Sequence, residues 1–150
     1  MPSRLLDIYN ALAALPVTVG AVSVLGLTPA LYRSKPASFP IRILTPLSDA
    51  SEGREGARFS MAGASFAMQW RVVDLLLWRA ASQGAGIETY MDDLLSYQVA
   101  YVSVIAAQRK IADAIIENLS MDVGIYSYPA ESGKDYFGVK CELVIKEIFK

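Results

Sequence analysis

The strongest constraint on this chain is a stretch from Ile8 to Tyr32 that carries no charge. It is long enough for a transmembrane helix, and Arg4 before it and Arg33 after it could act as flanks. Three features argue against a span. Asp7 and Asn10 sit on its first helical turns. Pro16 interrupts it near the middle. From Val17 the texture becomes β-branched and partly alternating, until Gly26, Thr28 and Pro29 end it with turn chemistry. Asp7 and Pro16 also spoil the apolar core of a secretory signal. The stretch therefore reads as a helix over 4–14, with Ser3 as cap and Leu5, Ile8, Tyr9, Leu12 and Leu15 on one face, then a strand over 17–25.

Further on, Thr28–Ser38 reads as a connection and Phe39–Leu44 as a second strand. Asp49–Arg58 has no apolar residue larger than alanine and reads as an exposed loop. A third strand is predicted over 58–70, with Gly63 as the bulge where its alternation changes phase. Val72–Trp78, apolar nearly all round, reads as a helix ended by Gly84 and Gly86, with Gly84-Ala85-Gly86 as a helix–helix connection. The longest helix is predicted from near Glu88 to about Leu119, with Arg109-Lys110 marking a break point soon after 110. The last thirty residues read as a hairpin: Val123–Tyr128, a turn over Pro129–Asp135, and Phe137–Phe149. In the closing strand Val139, Cys141, Leu143 and Ile145 are expected to face the helices, and Lys140, Glu142, Lys146 and Glu147 to face out.

The element order is thus α-β-β-β-α-α-β-β in one domain, 1–150. It predicts the α+β class, with an antiparallel or mixed sheet and helices packed on one face. No β-helix-β unit recurs at regular spacing, which argues against a doubly wound parallel sheet.

Composition narrows the chemistry. With no histidine, His-based triads, His-ligated metals and imidazole acid–base catalysis are excluded. The single cysteine, Cys141, excludes an internal disulfide and a Cys-rich zinc site, and its inward phase predicts an inert buried thiol. A net charge of −1 argues against a strongly basic nucleic-acid binder. Neither Asp92-Asp93 nor any Tyr, Lys and carboxylate grouping makes a catalytic or metal motif, so the chain reads as a non-enzyme without cofactor or metal. Tyr97, Tyr101, Trp70 and Trp78 are expected in the core, whereas Tyr128 and Tyr136 suit core or interface equally. Hydrophobic residues make up 53% and charged ones 19%, an apolar surplus that calls for a sheet buried on both faces or for self-association.

The order of elements resembles the tail-terminator and tail-completion proteins of the head–tail neck in long-tailed bacteriophages. The resemblance runs through the opening helix Arg4–Leu15, the strand ending Pro40-Ile41-Arg42-Ile43-Leu44-Thr45-Pro46, and the charged glycine loop after it. It continues through Trp70-Arg71-Val72-Val73-Asp74-Leu75-Leu76-Leu77 and Tyr136-Phe137-Gly138-Val139, which leads into the final strand. It implies a structural virion protein, assembled in the host cytoplasm, that forms a ring at the head–tail junction, usually a hexamer. Such a ring caps the tail tube and docks it to the head connector, and genomic DNA passes through its lumen without specific binding. A head-completion or stopper protein of the neck is the related alternative. A small membrane-associated protein using residues 8–32 is the alternative from another class. The residues expected to make ring or partner contacts are Asp49, Glu52, Arg54, Glu55 and Arg58 in the charged loop, and Ser132, Lys134 and Tyr136 at the hairpin turn.

Overall fold

The computed structural model describes residues 5–28, 39–45, 57–62, 65–81, 86–127 and 134–149. They form α1 (Leu5–Ala13), β1 (Val17–Val19), β2 (Val22–Leu27), β3 (Ile41–Thr45), β4 (Ala57–Ala62) and β5 (Ser65–Ala80). After a 3-10 turn at Ile87–Tyr90 come α2 (Met91–Ala107), β6 (Lys110–Ile111), β7 (Ala114–Ser127) and β8 (Asp135–Phe149). The protein is α+β, as its sequence predicts. The strands make one mixed sheet in the order β1-β2-β3-β5-β8-β7-β6, with β4 also paired to β5. Among the paired strands of the described residues, only β2 and β3 are parallel neighbours.

The long strands β5 and β8 form the spine. They pair antiparallel from Phe66 opposite Phe149 to Ala80 opposite Tyr136, with an irregularity between Leu77 and Arg79. Alternation sorts their side chains. Val72, Asp74, Leu76 and Trp78 of β5 share a face with Val139, Cys141, Leu143 and Ile145 of β8. Against that face pack Ile8, Leu12 and Leu15 from α1 and its end, and Leu94, Tyr97, Tyr101 and Ile105 from α2. The opposite face has its own smaller cluster: Leu27, Ile41, Ile43, Leu77 and Tyr136, with Phe39, Leu75 and Tyr126 against it. The apolar surplus is thus partly explained by a strand buried on both sides.

That two-sided burial also accounts for the main correction. Val72–Trp78 is the middle of β5, not a helix. A central strand with two buried faces loses its alternation and reads as a continuous apolar run, which periodicity cannot tell from a buried helix. Three further segments differ. The strand expected over 17–25 is a hairpin, β1 and β2, turned by Gly20-Ala21 with Gly20 at φ 60°. The strand expected over 58–70 is also a hairpin, with Ala62 opposite Ser65; Gly63 lies outside the described residues. The long helix stops at Ala107, and chain past it becomes β6 and β7. Ala112 and Asp113, at φ 49° and 65°, form the two-residue turn between them. Gly86 consequently joins a strand to the 3-10 turn rather than two helices; Gly84 and Ala85 are outside the described residues.

The spine requires glycine at one point. A Cβ on Gly138 would collide with the backbone carbonyl of Leu76. Gly124, opposite Gly138 on β7, has room: a Cβ there would meet only the Tyr126 ring and hydroxyl, at 3.4 Å and beyond. Gly138→Ala is expected to destabilise the protein by about 1–3 kcal/mol, as overpacking of a fixed backbone does, whereas Gly124→Ala should change little. Urea denaturation of the two variants checks this.

Candidate docking surfaces around a buried charge cluster

Arg42 is the one charge in β3 and Asp74 the one acid in β5, and both side chains are fully buried. Register places them one step apart, since Asp74 pairs with Leu44 and Arg42 with Leu76, so both point at the helices. The guanidinium donates from Nε to both carboxylate oxygens at 3.2 Å and from Nη2 to Oδ2 at 2.7 Å. Its remaining reach is toward the end of α1. Nη1 donates to the Leu15 carbonyl at 3.0 Å and Nη2 to the Leu12 carbonyl at 2.9 Å. Arg42 therefore ties down the chain at the end of α1: it adds a second donor to the Leu12 carbonyl, which already accepts from the Leu15 N–H at 3.2 Å, and holds the Leu15 carbonyl just past the helix. From the other side the Tyr101 hydroxyl of α2 donates to Asp74 Oδ2 at 2.7 Å, and the Arg42 guanidinium lies 5.5 Å from the Tyr101 ring centre.

The surroundings fix the charge states. Burial alone would lower the Arg42 pKa, but the charge and hydrogen bonds of Asp74 outweigh it and the net shift is upward. Burial, then the Asp74 charge, pushes the Tyr97 and Tyr101 hydroxyls well above their usual value, so both stay neutral. The Cys141 thiol, opposite Asp74 on β8, is buried and pushed up for the same reasons. It is the inert thiol expected from the sequence. The cluster ties α1, β3, β5 and α2 together.

Of the sequence-predicted contact residues, Arg58, Lys134 and Tyr136 are among the described ones. Asp49, Glu52, Arg54, Glu55 and Ser132 lie outside the described residues, as does Tyr128. Arg58 lies on β4 opposite Gln69, not in the loop before it. Lys134 is exposed just before β8. Tyr136 is buried and stacked on Phe39, with ring centres 4.4 Å apart, and belongs to the second cluster instead of the loop surface. Glu147, expected to face out, is also buried; it shares the inward face and accepts a hydrogen bond from Trp70 Nε1 at 3.0 Å. Asp92 and Asp93 are exposed at the start of α2.

What the described residues do expose is apolar side chains in separate places. Leu6 on α1 and Val22 on β2 are single cases, and on α2 there are three, Leu95, Val99 and Val102. On the β7–β8 ribbon, Ile115 and Ile148 sit at one end and Ile125 at the other. The charge-free stretch is not exposed as a unit. Ile8, Tyr9, Leu12, Leu15, Val17, Val19 and Val24 all enter the main core. No helix among the described residues is long and apolar enough to cross a membrane. No group of three or more potential metal ligands comes together among them. No protein-family model matches the chain, and comparison with curated proteins finds no relative.

Removing one partner of the buried pair leaves the other charged and alone, the expensive case. Arg42→Met is expected to cost about 3–5 kcal/mol by chemical denaturation. The tyrosines give a sharper contrast. Tyr101→Phe removes a hydrogen bond to a carboxylate and should cost about 1.5–3 kcal/mol. Tyr97 has a buried hydroxyl with no hydrogen-bond partner among the described residues, so Tyr97→Phe should be neutral or stabilising in the same assay.

Proposed function

We propose that the chain is a structural virion protein that assembles into a ring at the head–tail junction of a long-tailed phage, capping the tail tube and docking it to the head connector. One observation carries the assembly part of this reading. The β7–β8 ribbon exposes two different apolar patches, on opposite faces and at opposite ends. Ile115 lies opposite Lys146 and diagonal to Ile148, on the outer face. Ile125 lies opposite Phe137, on the face toward the core. Along β8 the eleven steps from Phe137 to Ile148 separate the two ends by about 37 Å. Two unlike patches favour a head-to-tail contact, each copy meeting the next with the other patch, and such contacts close into rings when the rotation permits.

The placement at a phage neck rests on the resemblance in element order. In this reading the charged loop with Asp49, Glu52, Arg54 and Glu55, together with Ser132 and Lys134, meets the tail tube or the connector. The near-neutral net charge suits a lumen that lets DNA through without gripping it.

Light scattering after size exclusion is expected to give a discrete oligomer, and electron microscopy with tail tubes to show it at tube ends. Ile125→Glu and Ile148→Glu should each abolish the oligomer. Their mixture should stop at a one-to-one pair, because only one intact contact can form. A mixture that forms no one-to-one pair, or single variants that still form the wild-type oligomer, would refute head-to-tail assembly through these patches.

A further inference from the structure

α2 carries an apolar stripe that the described residues leave open. Leu95, Val99 and Val102 are 47%, 69% and 42% exposed. With Ala106 they recur at steps of four, three and four, the spacing of a seam between two packed helices. The helix has no charge from Leu94 to Gln108. Even the polar residues beside the seam tolerate cover: the Ser103 hydroxyl already donates to the Val99 carbonyl at 2.8 Å, and Ser96 is small enough for close helix approach.

The ends of the stripe show what fits it. Asp92 and Asp93 are exposed at its start, and Arg109 and Lys110 are exposed just past its end. A second copy laid antiparallel sets Val99 beside the partner's Val102 and Leu95 beside the partner's Ala106. The same arrangement brings Asp92, on the stripe's side of the helix, to the partner's Arg109 and Lys110, while Asp93 lies farther round the helix. A parallel copy would oppose acids to acids and bases to bases. The surface is therefore complementary to itself in one orientation only, which is the requirement for a two-fold contact.

We propose that two copies of this chain pair antiparallel through α2, about a two-fold axis level with the step from Ala100 to Tyr101. A single helix face is smaller than the roughly 800 Å² per partner of a standard stable interface. The pairing is accordingly weak and concentration-dependent, suited to joining units that are already assembled or to holding free protein in pairs. It uses none of the β7–β8 patches and does not depend on the head–tail reading.

Sedimentation analysis of the full chain carrying Ile125→Glu tests it with α2 intact and the ribbon contact removed. A monomer–dimer equilibrium is expected, and adding Val99→Glu should weaken it at least about tenfold. Asp92→Lys with Asp93→Lys, and separately Arg109→Glu with Lys110→Glu, should each weaken pairing, while mixing the two variants should restore it. For orientation, a Leu95→Cys chain should form a disulfide with an Ala106→Cys chain in preference to its own kind. The native Cys141 is buried and stays out of the reaction. A monomer at every concentration, a dimer indifferent to Val99→Glu, or a Leu95→Cys chain that links chiefly to itself would each overturn the proposal. If Val99→Glu melts early, the charge exchange decides alone. Loss of α2 pairing with intact ring assembly in the wild-type chain would leave the head–tail reading standing, and the converse result would leave the pairing standing.

Discussion

The carboxylate of Asp74 sits where the sheet meets both helices, and it is the point on which the layers are aligned. Alone in that position it would be intolerable, because an unpaired buried charge costs several kcal/mol. Arg42 offsets that cost and in the same geometry closes the end of α1. Tyr101 reaches the same carboxylate from α2. Each partner arrives from a different element: the ion pair needs only β3 and β5 in register, but the full set of bonds is made only when the end of α1 and α2 are also in place. An apolar core of equal volume could be as stable. Directional bonds to a shared carboxylate are less forgiving of a shifted helix than dispersion contacts are.

The rest of the architecture follows from β5 being buried twice. Its inner face carries the cluster and the helices, and its outer face carries Leu77 and Leu75 against Ile41, Ile43 and Tyr136. With both faces of the central strand covered, the exposed large apolar groups among the described residues lie at the margins, on α2, at the ends of the β7–β8 ribbon, and singly at Leu6 and Val22. An exposed Leu or Val is ordinary by itself. A row at helical spacing, framed by charges of opposite sign, is the pattern of a contact.

How far the sequence could be read depended on the kind of signal each element gave. α1 was legible because Pro16 stops it and its apolar residues keep one phase; Ile8, Tyr9, Leu12 and Leu15 are all buried. β8 was legible because charged and apolar residues alternate, with Glu147 the one residue whose phase misleads. β5 was not, for Leu and Trp on both faces erase its period. The α2 end was marked by Arg109-Lys110, just past Ala107, but Ile111, Ile115 and Leu119 keep helical spacing while Ala112 and Asp113 turn the chain without glycine, so the strands that follow stayed concealed. The charge cluster was visible in principle, as a single basic and a single acidic residue, each isolated in an apolar run. Their partnership depends on strand register, which composition does not encode. The α2 stripe was absorbed into the long helix and so never stood out as a surface. Of the contact residues, Tyr136 was ambiguous from the start, since an aromatic at a strand entrance packs inward or outward with equal ease.

The position of β8 in the sheet has a consequence for how the molecule comes into being. The last strand in the chain lies between β5 and β7, and it pairs Phe149 with Phe66 and Phe137 with Ile125. Until it is inserted, the two flanking strands have no common neighbour, and the faces that bury Val72, Leu76 and Leu143 stay open. Contacts so distant along the chain are slow to form, since loop closure precedes the reward of burial. Synthesis therefore runs almost to the end of β8 before β5 and β7 can be joined in one sheet.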